Sequence, residues 1–594
     1  MVYKDAYADS AVRRLDGGAL MAHLPRLDSI QTARDMIDAF GGYNHNLRIG
    51  GNEFYDMRNM SGDLYPVMAP RKSRMRVRQL EKPNGLHSNN ALCWVDGSAF
   101  YYDGRLVEGL SLTDSPKRFV NMGAYIIIYP DQVMYNTADG TFSALSQRNE
   151  TSGETMVAMC KVDGTVYDDY TVSASAPASP QNGALWLDTS ATPNILKQYS
   201  TMYGMWQSVP TTYVKVESTG IGTGISEMDA VTVKGFENES LNGSFVVYGA
   251  AENYIVITGL IRAAFTQTEA ITVSRDIPEM DYVTEHENRL WGCSSKNHEI
   301  YASALGDPKN WNRFLGIASD SYAVTVGSAG DFTGCTSHQG YVLFFKEETM
   351  HKMYGSIPSK FQLTDTQCRG VGAGSSESLV SIDEMLFYRS RNDVCALGSA
   401  LPSVISLPLG KEKYTNGVAG EHNGKYYLSM QGQNHADLFV YDPKNGMWHR
   451  EDETRATHFA SLNGELFYID GNDNCLYSVG GTDGGYADEE AEILTPIEWS
   501  AQFGDIGLDT PDHKYVSRIQ FRLELDDEST ARIEVQYDHD TDWRTVWHVN
   551  MTKRRTICVP IIPHRCDTMR VRISGKGQCR IFSMTKTIEQ GSEM

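Results

Sequence analysis

Apolar residues along this chain come in short unbroken runs, each launched by a turn residue. NMGAYIIIY, VDGTVYDDY, HENRLWGC, HQGYVLFF, IDEMLFYRS, HNGKYYLS and LNGELFYI share that form, with turns at Gly123, Gly164, Asn288, Gly340, Glu384, Gly424 and Gly464. A turn residue followed at once by aromatic and β-branched residues predicts a hairpin. The steps between turns are 40–52 residues, apart from one of 124. A period of that size fits four strands and their turns, which is one blade of a propeller. The pattern therefore predicts an all-β fold, a β-propeller of about seven blades. The long step is one blade plus an insertion of roughly 80 residues. A further hairpin, WVDGSAFYYDG (94–104), stands so close to Gly123 that it is expected to complete the first blade.

Elsewhere the pattern changes. Strict alternation over Ile519, Phe521, Leu523 and Leu525, repeated in RIEVQY (532–537) and MRVRI (569–573), predicts a C-terminal β-sandwich over about 493–590. One helix is expected, DSIQTARDMIDAF (28–40), with Ile30, Ala33, Ile37 and Phe40 on one face, Asp28 and Gln31 as a cap and Gly41-Gly42 as the stop. Residues 174–218 turn rich in Ala, Ser, Pro and Thr, the composition of a separate small β module. GGTDGGYADEEAE (480–492) has the make-up of a linker. The expected division is an N-terminal arm (1–90), a first propeller part (91–175), the inserted module (176–275), a second propeller part (276–482) and the sandwich (483–594). YDPKNGMWHRE (441–451) and LGDPKNWNRF (305–314) resemble kelch-type blade turns, in which Asp caps a turn and Trp closes onto the next blade.

Charge narrows the function. With 53 Lys+Arg against 75 Asp+Glu the chain carries −22, a field that opposes tight wrapping of a nucleic acid. Its start has no apolar signal-type core and no run is long enough to span a bilayer, so a chain made in the cytoplasm without membrane insertion is expected. Ten scattered cysteines without a CxxC read as reduced, mostly buried thiols. Catalytic signatures are missing: no HExxH, no G-x-S-x-G, no phosphate loop. GIGTG (220–224) runs into a strand pattern rather than a helix. DHDTDW (538–543) lacks the Gly and Glu of a calcium loop and reads as a polar turn. His286, His338 and His422 each precede a repeat strand, which points to a shared blade position rather than to a metal. No catalytic residue, metal or cofactor is expected.

Two segments are candidates for contact. RKSRMRVRQLEK (71–82) alternates Arg74, Arg76 and Arg78 with Met75 and Val77. With Arg71 and Lys72 it forms a basic stripe suited to an acidic face of a neighbouring subunit or adaptor. In the inserted module Trp186, Tyr199, Tyr203 and Trp206 could stack on sugar rings, although such residues more often form a small core.

FYDMRNMSGDLYPVMAPRKSR (54–74), ENRLWGCSSKNHEIYASALGDPKNWN (287–312) and CRGVGAGSSESLVSIDEMLFYRSRNDVCALGSALPSVIS (368–406) resemble virion proteins of tailed bacteriophages, and among them the tail nozzle of short-tailed phages. PNILK…W (193–206) looks like modules of phage tail and fibre proteins. The resemblance implies a propeller-containing subunit located in the virion tail. It implies a homo-oligomer, a six-membered ring below the head-to-tail adaptor or portal-associated proteins, with tail fibres or spikes as further neighbours. Genomic DNA would pass through it without tight binding. The other functions open to such a chain are receptor binding or fibre attachment, and a propeller depolymerase with a carboxylate pair.

Overall fold

The computed structural model describes residues 32–481, 492–494, 496–509, 514–549 and 552–590. Six four-stranded antiparallel sheets and one of five strands follow one another around an axis as seven propeller blades. Blades 1 and 2 occupy 83–111 and 118–144, and blades 3 to 6 occupy 282–325, 332–367, 380–404 and 415–450. Blade 7 takes three strands from 456–478 and its fourth, Met75–Gln79, from the other end of the propeller sequence, with Glu492–Ile493 beyond it. The first strand of each blade lies innermost. Ala456–Leu462 touches Pro83–Asn89 on one side and Thr415–His422 on the other; first strands of other neighbouring blades also meet, and the short turn Ser376–Ser378 packs on the first strands of blades 4 and 6.

The unbroken apolar runs have a simple cause. Each blade is covered on both faces, so successive side chains, which point to opposite faces of a strand, are all buried. In YVLFF, Val342 and Phe344 enter the core shared with blade 3, while Leu343 and Phe345 enter the core shared with blade 5. In AYIIIY, Ile126 and Ile128 face blade 1, and Ile127 and Tyr129 face blade 3. ELFYI sends Leu466 and Tyr468 to blade 6 and Phe467 and Ile469 to blade 1. Hairpins between first and second strands use two left-handed residues, at Glu287-Asn288, Gln339-Gly340, Asn423-Gly424 and Asn463-Gly464. That geometry matches strand twist and explains the Asn-Gly pairs.

Seven blades stand, by a different assignment of two hairpins. WVDGSAFYYDG belongs to a blade of its own, blade 1, with its inner turn at Asn90. VDGTVYDDY belongs to no blade. Its turn at Gly164 lies in the insertion, after the strand Thr155–Cys160. The insertion is accordingly wider than 176–275. It leaves blade 2 at 144 and returns at 275 through paired residues, Gln147 opposite Arg275. It holds a curled eight-stranded sheet around Val157, Val214, Val231, Ile255 and Val273, plus a four-stranded sheet over 171–208.

The described residues of 498–590, with two early strands, form a sandwich of a four- and a five-stranded sheet, with Ile519, Phe521, Leu523 and Leu525 inward as the alternation requires. Two early strands complete it. Phe54–Arg58 pairs with Glu498–Phe503, and Thr32–Ile37 pairs with Cys579–Gln590. The second of these is where a helix was expected; Asp28, Ile30 and Gln31 lie outside the described residues. An open sheet edge supplies backbone partners to all six residues of Thr32–Ile37, and that pairing overrides a helical spacing of apolar residues. From residue 32 to 90 the N-terminal segment is thus no free arm: it stitches sandwich, blade 7 and blade 1 together. The linker expected at 480–492 lies mostly outside the described residues. The cysteines are free thiols, seven of them buried.

Candidate functional site

The basic stripe folds into the propeller. Met75 and Val77 enter the core between blades 7 and 1, and Arg76 and Arg78 lie on the other face, as the alternation predicts. Arg74 stands just before the strand and is buried. Its Nη2 meets Glu451 Oε2 at 2.6 Å, its Nη1 meets Asp452 Oδ2 at 3.0 Å, and Nη1 donates to the Tyr468 hydroxyl at 3.0 Å. Arg71 reaches the same two acids at 3.4 and 3.3 Å. Burial by itself would raise the Asp452 carboxyl, but the guanidinium groups of Arg74 and Arg71 outweigh it and hold the group far below the usual carboxylate range. The acidic surface that the stripe was expected to find on a neighbour is therefore Glu451–Asp452 of the same chain. Arg78 lies over the rings of Trp94 and Tyr101 in blade 1, and Arg76 donates to Gln79 and to Cys475 Sγ. Lys72 is exposed. Arg71 and Arg74 are corrected from docking residues to the clamp that closes the ring.

The aromatic set of the insertion divides likewise. Trp186 is buried, its Nε1 donates to Ser173 O, and the Lys197 ammonium lies 4.9 Å from its ring centre. Trp206 packs edge-on against Trp186 and Tyr199 at 5.4 and 5.3 Å. These three form a small core. Tyr203 projects into solvent beside Met202 and Met205, which gives no flat platform of several rings. Asp188, held at about 2 by hydrogen bonds from Lys197 and Ser190, fixes the same small sheet.

The propeller bore is a further concave site. Leu86, His87, Arg118, Tyr282, Glu377 and His458 are among the residues around a cavity of about 270 Å³. Arg118 lies 4.2 Å from the Tyr282 ring centre and 4.0 Å from Glu377. The Glu377 side chain is more than half exposed to the bore, with the propeller wall around it. Desolvation by that wall raises its pKa against the opposing pull of Arg118. Burial pushes His458 down to about 4 and also lowers His87, whose Nε2 meets Asn121. Glycoside hydrolysis uses two carboxylates roughly 5–10 Å apart; the residues around this cavity include one, already paired.

One end of the bore carries a device that the sequence partly disclosed. His286, His338 and His422 are each the last residue of an inner strand. Their Nδ1 atoms meet Ser337, Ser381 and Gly464 O, in each case on the following blade, at 2.8–3.2 Å. Glu285 and Glu421, directly before two of them, accept the backbone N–H of the turn. Shared blade position is thus the right account of these histidines. A cluster that sequence spacing did not reveal lies on blade 6, where Glu412, His435 and Asp437 converge. The loop that joins them brings 412 to 435–437 only in the fold. DHDTDW is a hairpin turn in which Asp538 accepts from Asp567 and Thr568 N–H.

The class these sheets define is a seven-bladed β-propeller protein with an inserted β module and a β-sandwich. No family model matches the chain, and no curated protein matches it in sequence. Among solved structures it is similar to BamB from Moraxella catarrhalis, with 9% identity over 69% of this chain and 97% of that one, at a TM-score of 0.32. AztD from Citrobacter koseri matches with 9% identity over 72% and 99% at 0.25. An exo-β-1,3-galactanase from Phanerochaete chrysosporium matches with 9% over 51% and 94% at 0.21. Likeness at this level says nothing of activity, and the blade architecture rests on the chain's own sheets.

Proposed function

We propose that this protein is a structural subunit of a tailed-phage virion, the nozzle, whose copies join side by side around a passage for DNA. The observation that carries the reading is the distribution of charge. Among the described residues the buried cations, Arg74, Lys117, Arg275, Arg289, Arg313, Lys346, Arg389 and Lys514, are matched in number by buried acids. Among the described residues burial therefore does not consume the acidic excess of the chain. An acidic wall repels phosphate and lets a nucleic acid slide without being gripped. The bore of a single propeller, lined by Arg118, Glu377 and His458, has no room for a duplex, so the passage in this reading lies between copies. A head-to-tail interface around such a passage closes only as a ring. The segments that carry the phage resemblance agree with a structural role: 54–74 joins sandwich to blade 7, 287–312 builds blade 3 and 368–406 builds blade 5.

The test is single-particle imaging and native mass of the purified full chain. A closed ring, six copies in this reading, with acidic residues toward its lumen is the expected result. A solitary molecule, a lumen lined by Lys and Arg, or release of sugars from a surface polysaccharide would defeat it.

A further inference from the structure

We infer that Glu412, His435 and Asp437 form a binding site for one divalent transition-metal ion of the zinc class. His435 Nε2 lies 3.2 Å from Glu412 Oε1 and 3.1 Å from Asp437 Oδ2, and the three donor atoms all fall within 4.8 Å of one another. Bonds of 2.0–2.1 Å to a tetrahedral ion put neighbouring donors about 3.3 Å apart, close to the two separations found here. Imidazole nitrogen and carboxylate oxygen are both donors that zinc accepts, and three of them leave a fourth position for water.

The surroundings are built for this arrangement. Asp437 is buried, and Arg450 holds its Oδ1 through Nε and Nη2 at 2.8 and 2.7 Å, leaving Oδ2 turned toward His435. An outer partner that fixes a ligand carboxylate is the usual companion of a metal site. The Tyr414 hydroxyl stands 2.7 Å from Asp437 Oδ2 and 3.1 Å from Glu412 Oε2, one donor between two carboxylates. His435 sits in a tight turn closed by Gly432 N–H on His435 O. A Cβ at 432 would lie 3.0 Å from the imidazole and 3.2 Å from Glu412 Oε1, so the close approach depends on glycine. Charge supplies an independent reason. Arg450 is shared by Asp437, Asp56 and Glu453, so three carboxylates surround one guanidinium beside the cluster. A divalent ion would reduce that deficit. Its effect would be to tie the 410–416 loop to the turn at 432–435, beside the point where the Tyr43 ring packs at a tilt on Phe439.

Full-length protein, stripped with a chelator and dialysed against zinc, is expected to retain one ion per chain and to melt at a higher temperature. Magnesium is expected to have no effect, because an imidazole donor suits the softer ion. H435A and E412A change side chains that are more than a third exposed and leave the Asp437–Arg450 pair intact, so both should fold. Each is expected to weaken zinc binding at least about tenfold and to abolish the melting shift. Zinc retained at the same stoichiometry and affinity in both variants would overturn the assignment, as would failure of the wild-type chain to take up any.

Discussion

Arg74 shows how much of the fold can hang on one side chain. Together with Arg71 its guanidinium neutralises Glu451 and Asp452 in a largely buried place, and removing one partner of such a group strands the other charges. Arg74→Met is expected to cost about 3–5 kcal/mol in denaturant unfolding. Adding Glu451→Gln should recover part of that loss, a coupling that a double-mutant cycle reads directly. The buried histidines make a separate prediction. His449 and His458 are pushed to about 4 by burial, against an ordinary value near 6.5, and His87, His338 and His351 move in the same direction. Between those values the unfolded chain binds more protons than the folded one. Their contribution is complete above about pH 6.5 and drains away as the pH falls toward 4. Unfolding midpoints measured from pH 7 to 4.5 should fall steadily, with His449→Gln flattening the slope by about one proton. The local alternation around Arg74 was legible in the sequence, but its partners stand some 380 residues away and no spacing rule reaches that far.

At the scale of the strand, the hairpin signal was legible because turn chemistry and burial on both faces act locally. The same locality explains the false member. VDGT at 162–165 makes a good turn with Gly164 left-handed at φ 82°, and nothing in four residues tells a blade hairpin from one in an insertion. The helix expected at 28–40 failed for the opposite reason: the edge that captures Thr32–Ile37 is made by the last described strand, Cys579–Gln590. Met75–Gln79 is the strand with the most to lose, because its inward residues lie between blades 7 and 1. Val77→Asp places an unpaired carboxylate there. Amide exchange is expected to accelerate across 83–111 and 456–478 while the strands of 147–275 keep their protection. Uniform acceleration throughout the chain would contradict the role given to this strand.

For the molecule as a whole, the propeller, the insertion and the sandwich were visible as changes of period, whereas their sharing of strands was not. The insertion has its own core and leaves and re-enters at the paired residues Gln147 and Arg275, so a short Gly-Ser bridge from 146 to 276 should preserve the propeller. The excised chain is expected to fold with sharp, cooperative melting. Some loss is expected where Asn310 meets Asp229 and the Ala230 N–H. A molten product would show that the insertion is structural rather than added. Closure of the last blade by Met75–Gln79 also has a temporal consequence. A nascent chain leaving the ribosome makes this strand early, but its hydrogen-bonding partner, Cys475–Ser478, is translated some 400 residues later. Until then six blades can stack only as an open arc whose two ends are unsatisfied, so the circle is sealed only once 475–478 has emerged, and any truncated product that stops before 475 should be left as a target for chaperones and proteases.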